Sequence, residues 1–134
     1  VKIDKFSGRY AFLSNFYVER DGLTLEHRYQ AAKTRSTEEK AWVMDSPTPG
    51  IAKYRGRKVH MQADWDAIKL EVMELLVRSK FENDPGLARK LLETGDAELI
   101  EGNTWGDTFW GVCNGRGQNH LGKILMKVRE GLRK

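Results

Sequence analysis

The chain has 134 residues, of which 40% are hydrophobic and 31% charged, with a formal net charge of +4. That length can bury a core without disulfides or a structural metal, and no run approaches the ~18 apolar residues of a membrane span. One cysteine, Cys113, excludes an internal disulfide and a cysteine-cluster zinc site, so we expect a single cytoplasmic domain over residues 1–134 (host cytoplasm if viral), without a secretion signal and with a mild bias toward anionic partners.

Val1 and Ile3 alternate with polar residues, Phe12 to Tyr17 form an aromatic run, and Asp21-Gly22 marks a hairpin-type turn before Leu23-Thr24-Leu25. The first 25 residues therefore read as β and turn. Helical signals follow. Leu25, Tyr29 and Ala32 share one face of a short helix over about 24–35, and Ser36 with Glu39 forms a capping box for a helix carrying Trp42 and Val43. Ser46-Pro47 opens another short turn or helix, followed by Lys53, Arg55, Arg57 and Lys58. Asp64 is placed to cap the longest helix, in which Trp65, Ile68, Val72, Leu75 and Leu76 keep helical spacing to about Phe81. Asp84-Pro85 starts the next helix and Thr94-Gly95 closes it. Asn119 is placed to cap a final amphipathic helix with Leu121, Leu125, Val128 and Leu132 inward. The expected fold class is mainly α (α+β), a single compact helical domain with a small N-terminal β part.

Residues 101–122 hold six of the 13 glycines and two of the four tryptophans. Neither a helix interior nor a central strand tolerates that much glycine, and flexible linkers rarely carry large aromatics. The stretch reads as an ordered functional loop. Trp105 and Trp110 suit stacking on a base or sugar face, and Asp107 between them suits either contact to ribose hydroxyls and water or an Asx-turn. The segment 114–119 ends at a helix N-terminus, a place that suits an anion, but has no Walker or Rossmann pattern.

Earlier in the chain, Glu26, Tyr29, Gln30 and Lys33 stand at offsets of three, four and seven, along one helical stripe. A carboxylate and an amine on one stripe can serve as acid/base and cation or nucleophile; the same pattern also describes an exposed, charge-stabilised face. Trp65, at the start of an amphipathic helix, reads as core. His27, His60 and His120 lack metal-ligand spacing and read as structural or surface residues, so no metal and no cofactor is expected. Cys113 reads as a small buried residue, and Arg28, Arg35, Arg55 and Arg57 as largely solvated. The basic residues read as scattered rather than as a concentrated nucleic-acid patch.

The segments Phe12–Phe16, Glu26–Lys33, Asp64-Trp65, Lys80-Phe81, Leu91–Gly95, Leu99–Glu101, Trp105–Asp107, Trp110-Gly111, Asn119–Gly122 and Leu125–Arg129, in their order and spacing, resemble the NADAR superfamily, the NAD- and ADP-ribose-associated domains related to YbiA-like N-glycosidases. The resemblance runs nearly end to end. It implies a YbiA-like fold and hydrolysis of the N-glycosidic bond between a phosphorylated ribose and a nitrogenous base. The implied substrates are ADP-ribose on guanine in nucleic acid or ribosylamino-pyrimidine intermediates of riboflavin synthesis. The implied partners are thus an ADP-ribose or phosphoribosyl-type molecule, or ADP-ribosylated nucleic acid, with no membrane. By that resemblance Glu26, Lys33 and Asp107 form the catalytic centre, and Asn15, Phe16, Tyr29, Gln30, Trp65, Trp105, Trp110, Gly111 and Asn119 bind substrate. Lys33 is expected either to meet a phosphate or, if desolvated, to form a Schiff base with Glu26 as its proton partner. A non-catalytic ADP-ribose or NAD-binding module is the alternative.

Overall fold

The computed structural model describes residues 1–133 and shows a mainly helical chain with two two-stranded β pairs. Its contacts divide it into two units, Asn15–Leu76 and Val1–Ser14 with Val77–Lys134.

In the unit Asn15–Leu76, three short helices precede a long one. Helix α1 (Leu25–Ala31) packs on α2 (Thr37–Met44) and α3 (Pro49–Gly56), and α4 (Trp65–Glu82) begins in this unit. Ala31, Val43 and Ala52 form a buried cluster, with Met44 and Val59 against it. The caps are local. Ser36 accepts from the Glu39 amide, and Thr48, rather than the Ser46-Pro47 pair, opens α3 by accepting from Ile51 N–H, with Pro49 in the first turn. Only half of the expected Ser36/Glu39 box forms, because the Glu39 carboxylate turns to the Thr34 hydroxyl at 2.6 Å and to His60.

The hairpin expected around Asp21-Gly22 is a turn without strands. Gly22 has φ +83° and Asp21 Oδ1 accepts from Leu23 N–H, while Leu25 already belongs to α1. The reason lies in Thr24. It caps α1, and a capped helix start removes the partner strand a hairpin needs.

In the other unit, β1 (Lys2–Ile3) is the N-terminal strand, and it pairs in parallel with β2 (Glu98–Leu99). The aromatic run beginning at Phe12 is the end of a 3-10 helix, Gly8–Leu13. Phe12 and Phe81 pack edge to face at 6.4 Å. Helix α5 (Pro85–Glu93) starts where Asp84 accepts from the Gly86 and Leu87 amides. Helix α6 (His120–Leu132) lies against α5 and β2, burying Leu121, Leu125 and Val128. A second parallel pair, β3 (Gly102–Asn103) with β4 (Val112–Cys113), sits inside the glycine-rich segment. No helix among the described residues is long and apolar enough to cross a membrane.

Candidate functional site

Helix α1 presents the stripe. Its start is held by an unusual capping box: Thr24 accepts from His27 N–H, and the His27 ring takes the place of the usual Glu or Gln at the third position. His27 is buried, with Nδ1 receiving the Thr24 hydroxyl at 2.8 Å and Nε2 2.9 Å from the Ser46 carbonyl. A carbonyl only accepts, so Nε2 carries the proton and Nδ1 is the acceptor. His27 is thus a structural residue. Glu26, beside it, is 7% exposed and its amide donates to the Asn15 carbonyl at 3.0 Å.

The helix is shorter than its sequence pattern, ending at Ala31. Its last carbonyls find other donors: Lys40 Nζ meets Ala31 O at 3.2 Å, and Gln62 contributes its side chain to Ala32 O and its amide to Lys33 O, both at 2.8 Å. These contacts satisfy the C-terminal carbonyls and turn the chain. Lys33 still belongs to the stripe, with Nζ 5.9 Å from the centroid of the Tyr29 ring. Tyr29 itself is buried and meets Trp65 at 5.3 Å. Glu26, Tyr29, Gln30, Lys33 and Trp65 are thereby gathered, and Asn15 is joined to them through its backbone.

Gln30 orients the carboxylate. Its Nε2 donates to Glu26 Oε2 at 2.6 Å, a charge-assisted bond. Its Oε1 is buried without a hydrogen-bond partner among the described residues and lies where a Cβ on Gly56 would stand. Burial pushes the Lys33 ammonium below its ordinary value; Glu26 opposes this, while the positive charges of Arg57, Lys53 and Lys69 add to it. A half-buried amine in a field of cations, next to one carboxylate, gives up its proton more readily than a surface lysine and also attracts anions.

The glycine-rich segment is ordered by its own side chains. Asp107 Oδ1 accepts from the Phe109 and Trp110 amides at 3.1 and 2.9 Å, which is an Asx-turn, and Asn103 holds the Asp107 backbone from both sides. Asn103 also donates to Glu101 Oε2 at 2.9 Å. Trp110 packs edge-on against Phe109 at 4.8 Å, whereas Trp105 is 63% exposed. Gly111 is buried, and a Cβ there would stand 2.0 Å from the Glu101 carboxylate and 2.1 Å from the Glu101 carbonyl oxygen.

Asn119 occupies the cap position of α6 in a left-handed conformation, but its side chain makes no cap bond. It links the end of β2 to the residue before β3 instead, Oδ1 accepting from Glu101 N–H at 2.9 Å and Nδ2 donating to Leu99 O at 3.0 Å. The expected side-chain cap is therefore corrected to a cross-link. The α6 N-terminus does not serve as an anion cradle either: the amides of Asn119, His120 and Leu121 already donate to the carbonyls of Gly111, Phe109 and Trp110. Asn114-Gly115, both at positive φ, forms a tight turn closed by mutual Cys113 and Arg116 backbone bonds.

Sequence reasoning missed Gly56, and it missed the charges at Lys53, Arg57 and Lys69 around Lys33. Gly56 carried no local signal, because its role is set by a side chain 26 positions away. Phe16 is 43% exposed and is not among the buried residues of the cluster.

A sequence model of the NADAR domain matches residues 5–133. The chain is 39% identical to a Vibrio vulnificus riboflavin biosynthesis protein over 92% of its length, spanning 36% of that longer protein. It is 40% identical to a Nostoc punctiforme N-glycosidase, covering 82% of this chain and 74% of the relative. Among solved structures, the NMR structure of the Escherichia coli protein YbiA superposes with a TM-score of 0.83 at 32% identity, covering 98% of this chain and 84% of that one.

Proposed function

This chain belongs to the NADAR domain family, and we propose that it is an N-glycosidase cleaving the bond between a phosphorylated ribose and a nitrogenous base. The observation that carries this reading is the pairing of a buried, oriented carboxylate, Glu26, with a desolvated amine, Lys33. Relatives named N-glycosidase and riboflavin biosynthesis protein support the reaction class.

The chemistry follows from the bond. As C1′–N breaks, its electron pair leaves on the base nitrogen, which takes up a proton, and positive charge builds on the ribose. An anionic Glu26 lowers the energy of that charge. The lone pair of Lys33 Nζ in its deprotonated form, a form that burial favours, makes the new bond to C1′, and Nζ then passes a proton through Glu26 to the departing base nitrogen. The Nζ lone pair then forms C1′=Nζ as C1′–O4′ breaks, O4′ keeps the electron pair and takes a proton from water, and water hydrolyses the Schiff base to the free sugar aldehyde and lysine. Arg57 and Lys53 supply positive charge for the phosphates, while Lys69 is partly offset by Asp66, 3.3 Å from its Nζ. Tyr29 and Trp65 are packed too deeply to be free stacking faces and serve as a wall; Gln30 is a positioning residue for Glu26.

For the loop, Trp105 and Trp110 offer ring faces for a base or sugar, and Asp107 sets the backbone that carries Trp110. Asp107→Asn keeps Oδ1 and removes the charge. A large loss of turnover in that variant assigns the charge to chemistry; unchanged turnover assigns Asp107 to the turn alone.

The favoured substrate is ADP-ribose on guanine in nucleic acid, with a phosphorylated ribosylamino-pyrimidine as the second, favoured by the name of the Vibrio relative. The full chain is incubated with each in the presence of borohydride, and product release and intact mass are followed. We expect release from one substrate and a borohydride-dependent adduct that maps to Lys33. Release without an adduct removes the covalent step; tight binding of both without release replaces the glycosidase by a binding module.

A further inference from the structure

Helix α3 is built with two unlike faces. Ala52 and Gly56 are buried toward α1, whereas Ile51, Tyr54 and Arg55 stand at i, i+3 and i+4 along the opposite stripe, and Lys58 follows in the turn that ends the helix. Arg55 reaches across to α2, its guanidinium 5.1 Å from the centroid of the Trp42 ring and its Nη1 2.8 Å from the Trp42 carbonyl. Lys58 lies 5.3 Å over the Tyr54 ring. Two large aromatics are thus held in place by cations and yet remain 42% (Trp42) and 53% (Tyr54) exposed.

The charge around them is one-sided. Residues 46–63 hold Lys53, Arg55, Arg57 and Lys58 and not one carboxylate. Those four cations equal the formal net charge of the whole chain, +4, so the remaining residues are balanced at 19 of each sign. On α2, Glu38 precedes Trp42 by one turn and Asp45 ends the helix, which bounds the patch on that side. Of the four cations, Arg55 and Lys58 stand against the two rings, whereas Lys53 and Arg57 act on Lys33.

We propose that this outer face of α2 and α3 is a docking surface for single-stranded nucleic acid, with Trp42 and Tyr54 stacking bases and Arg55 and Lys58 meeting phosphates. Unpaired strands offer what this face fits: π-surfaces at the spacing of a flexible, uniformly anionic backbone. Paired duplex hides those surfaces, and an acidic peptide lacks them. The inference extends the nucleic-acid arm of the proposed function and rests on it only for its biological use, since unmodified strands are bound here without any glycosidic bond being cut.

The test is fluorescence anisotropy of the full chain with a labelled, unmodified 12-nucleotide single strand, in DNA and RNA form, against the same sequence as duplex and against polyglutamate. We expect the single strands to bind most tightly, with log K falling against log salt at a slope of about −1.4 for two phosphate contacts. Trp42→Ala and Tyr54→Ser should each weaken binding about tenfold. Lys58→Gln should flatten the salt slope by about 0.7, whereas Lys123→Gln on α6 should not. Circular dichroism checks that each variant is folded, and Tyr54→Ser and Lys58→Gln stand clear of the Arg55 contact that joins the helices. Absence of binding at 50 mM salt overturns the proposal, as does equal binding of duplex or polyglutamate, or variants that bind like the parent. Turnover on a modified substrate with no strand binding leaves the glycosidase standing and this surface without a role; strand binding without turnover does the reverse.

Discussion

Gln30 and Gly56 are fitted to one another: a Cβ on Gly56 would stand 2.0 Å from Gln30 Oε1. The missing side chain lets α3 approach α1 closely enough to clamp the Gln30 amide, whose other end holds Glu26. Gly56→Ala should gain helix propensity of about 1 kcal/mol but lose roughly 1–3 kcal/mol to overpacking. The net effect expected is a melting temperature lower by a few degrees and a fall in kcat greater than the change in KM, because the carboxylate loses its orientation. Calorimetry and steady-state kinetics check this; an unchanged kcat would separate Gln30 from the function of Glu26. Gln30→Glu, which places a second carboxyl against the first, should be worse than Gln30→Met.

Lys33 sets a pH dependence with a definite sign. Its folded value is depressed, chiefly by burial, below the ordinary 10.5. Between the depressed value and 10.5 the unfolded chain holds more proton than the folded one, so stability rises with pH across that window. Lys33→Met removes the burial penalty on the charge. The variant should be at least as stable as the parent at neutral pH, and the gap between them should narrow as pH climbs toward 10.5. Parallel stability curves in urea melts would contradict a depressed Lys33. Borohydride trapping should accelerate with pH in the parent as Nζ loses its proton.

His27 carries structure and no chemistry. His27→Ala removes the side-chain half of the cap and leaves the buried Ser46 carbonyl without its imidazole donor, which together should cost about 2–3 kcal/mol. His27→Gln keeps an acceptor for the Thr24 amide and should recover part of that loss. Urea denaturation measures both. A catalytic His27 would instead show lost turnover in a variant of unchanged stability.

Asn119 joins Leu99 to Glu101 through one amide group. Asn119→Asp preserves the acceptor and puts a carboxylate oxygen against the Leu99 carbonyl, at an expected cost of roughly 1–3 kcal/mol. Hydrogen exchange at the Glu101 amide should be slow in the parent and faster in Asn119→Ala. Equal protection in the two would show that the link does not hold the loop.

Several features were legible because they are written within one or two helical turns. Asp84-Pro85, Ser36 and Thr94-Gly95 mark helix ends through contacts to their own neighbours. The stripe at Glu26 to Lys33 was visible for the same reason, since spacing alone assigns a face. The glycine-rich segment announced an ordered loop, and the Asx-turn at Asp107 was among the readings its local pattern allowed. The hairpin at Asp21-Gly22 failed because a turn signal does not reveal whether strands flank it; the Thr24 cap decided that they do not.

From its residues alone, the sequence determined a mainly helical chain and the stripe that pairs a carboxylate with an amine, and its motifs pointed to the family; all of these depend on spacing along the backbone. Tertiary structure decided the state of those groups. It half-buried Lys33 among Lys53, Arg57 and Lys69, closed Gln30 between Glu26 and Gly56, and turned Asn119 from a helix cap into a cross-link. It also set Arg55 over Trp42 and exposed their shared face. Desolvation, close approach and long-range hydrogen bonds depend on atoms distant in sequence, and only folding brings those atoms within reach.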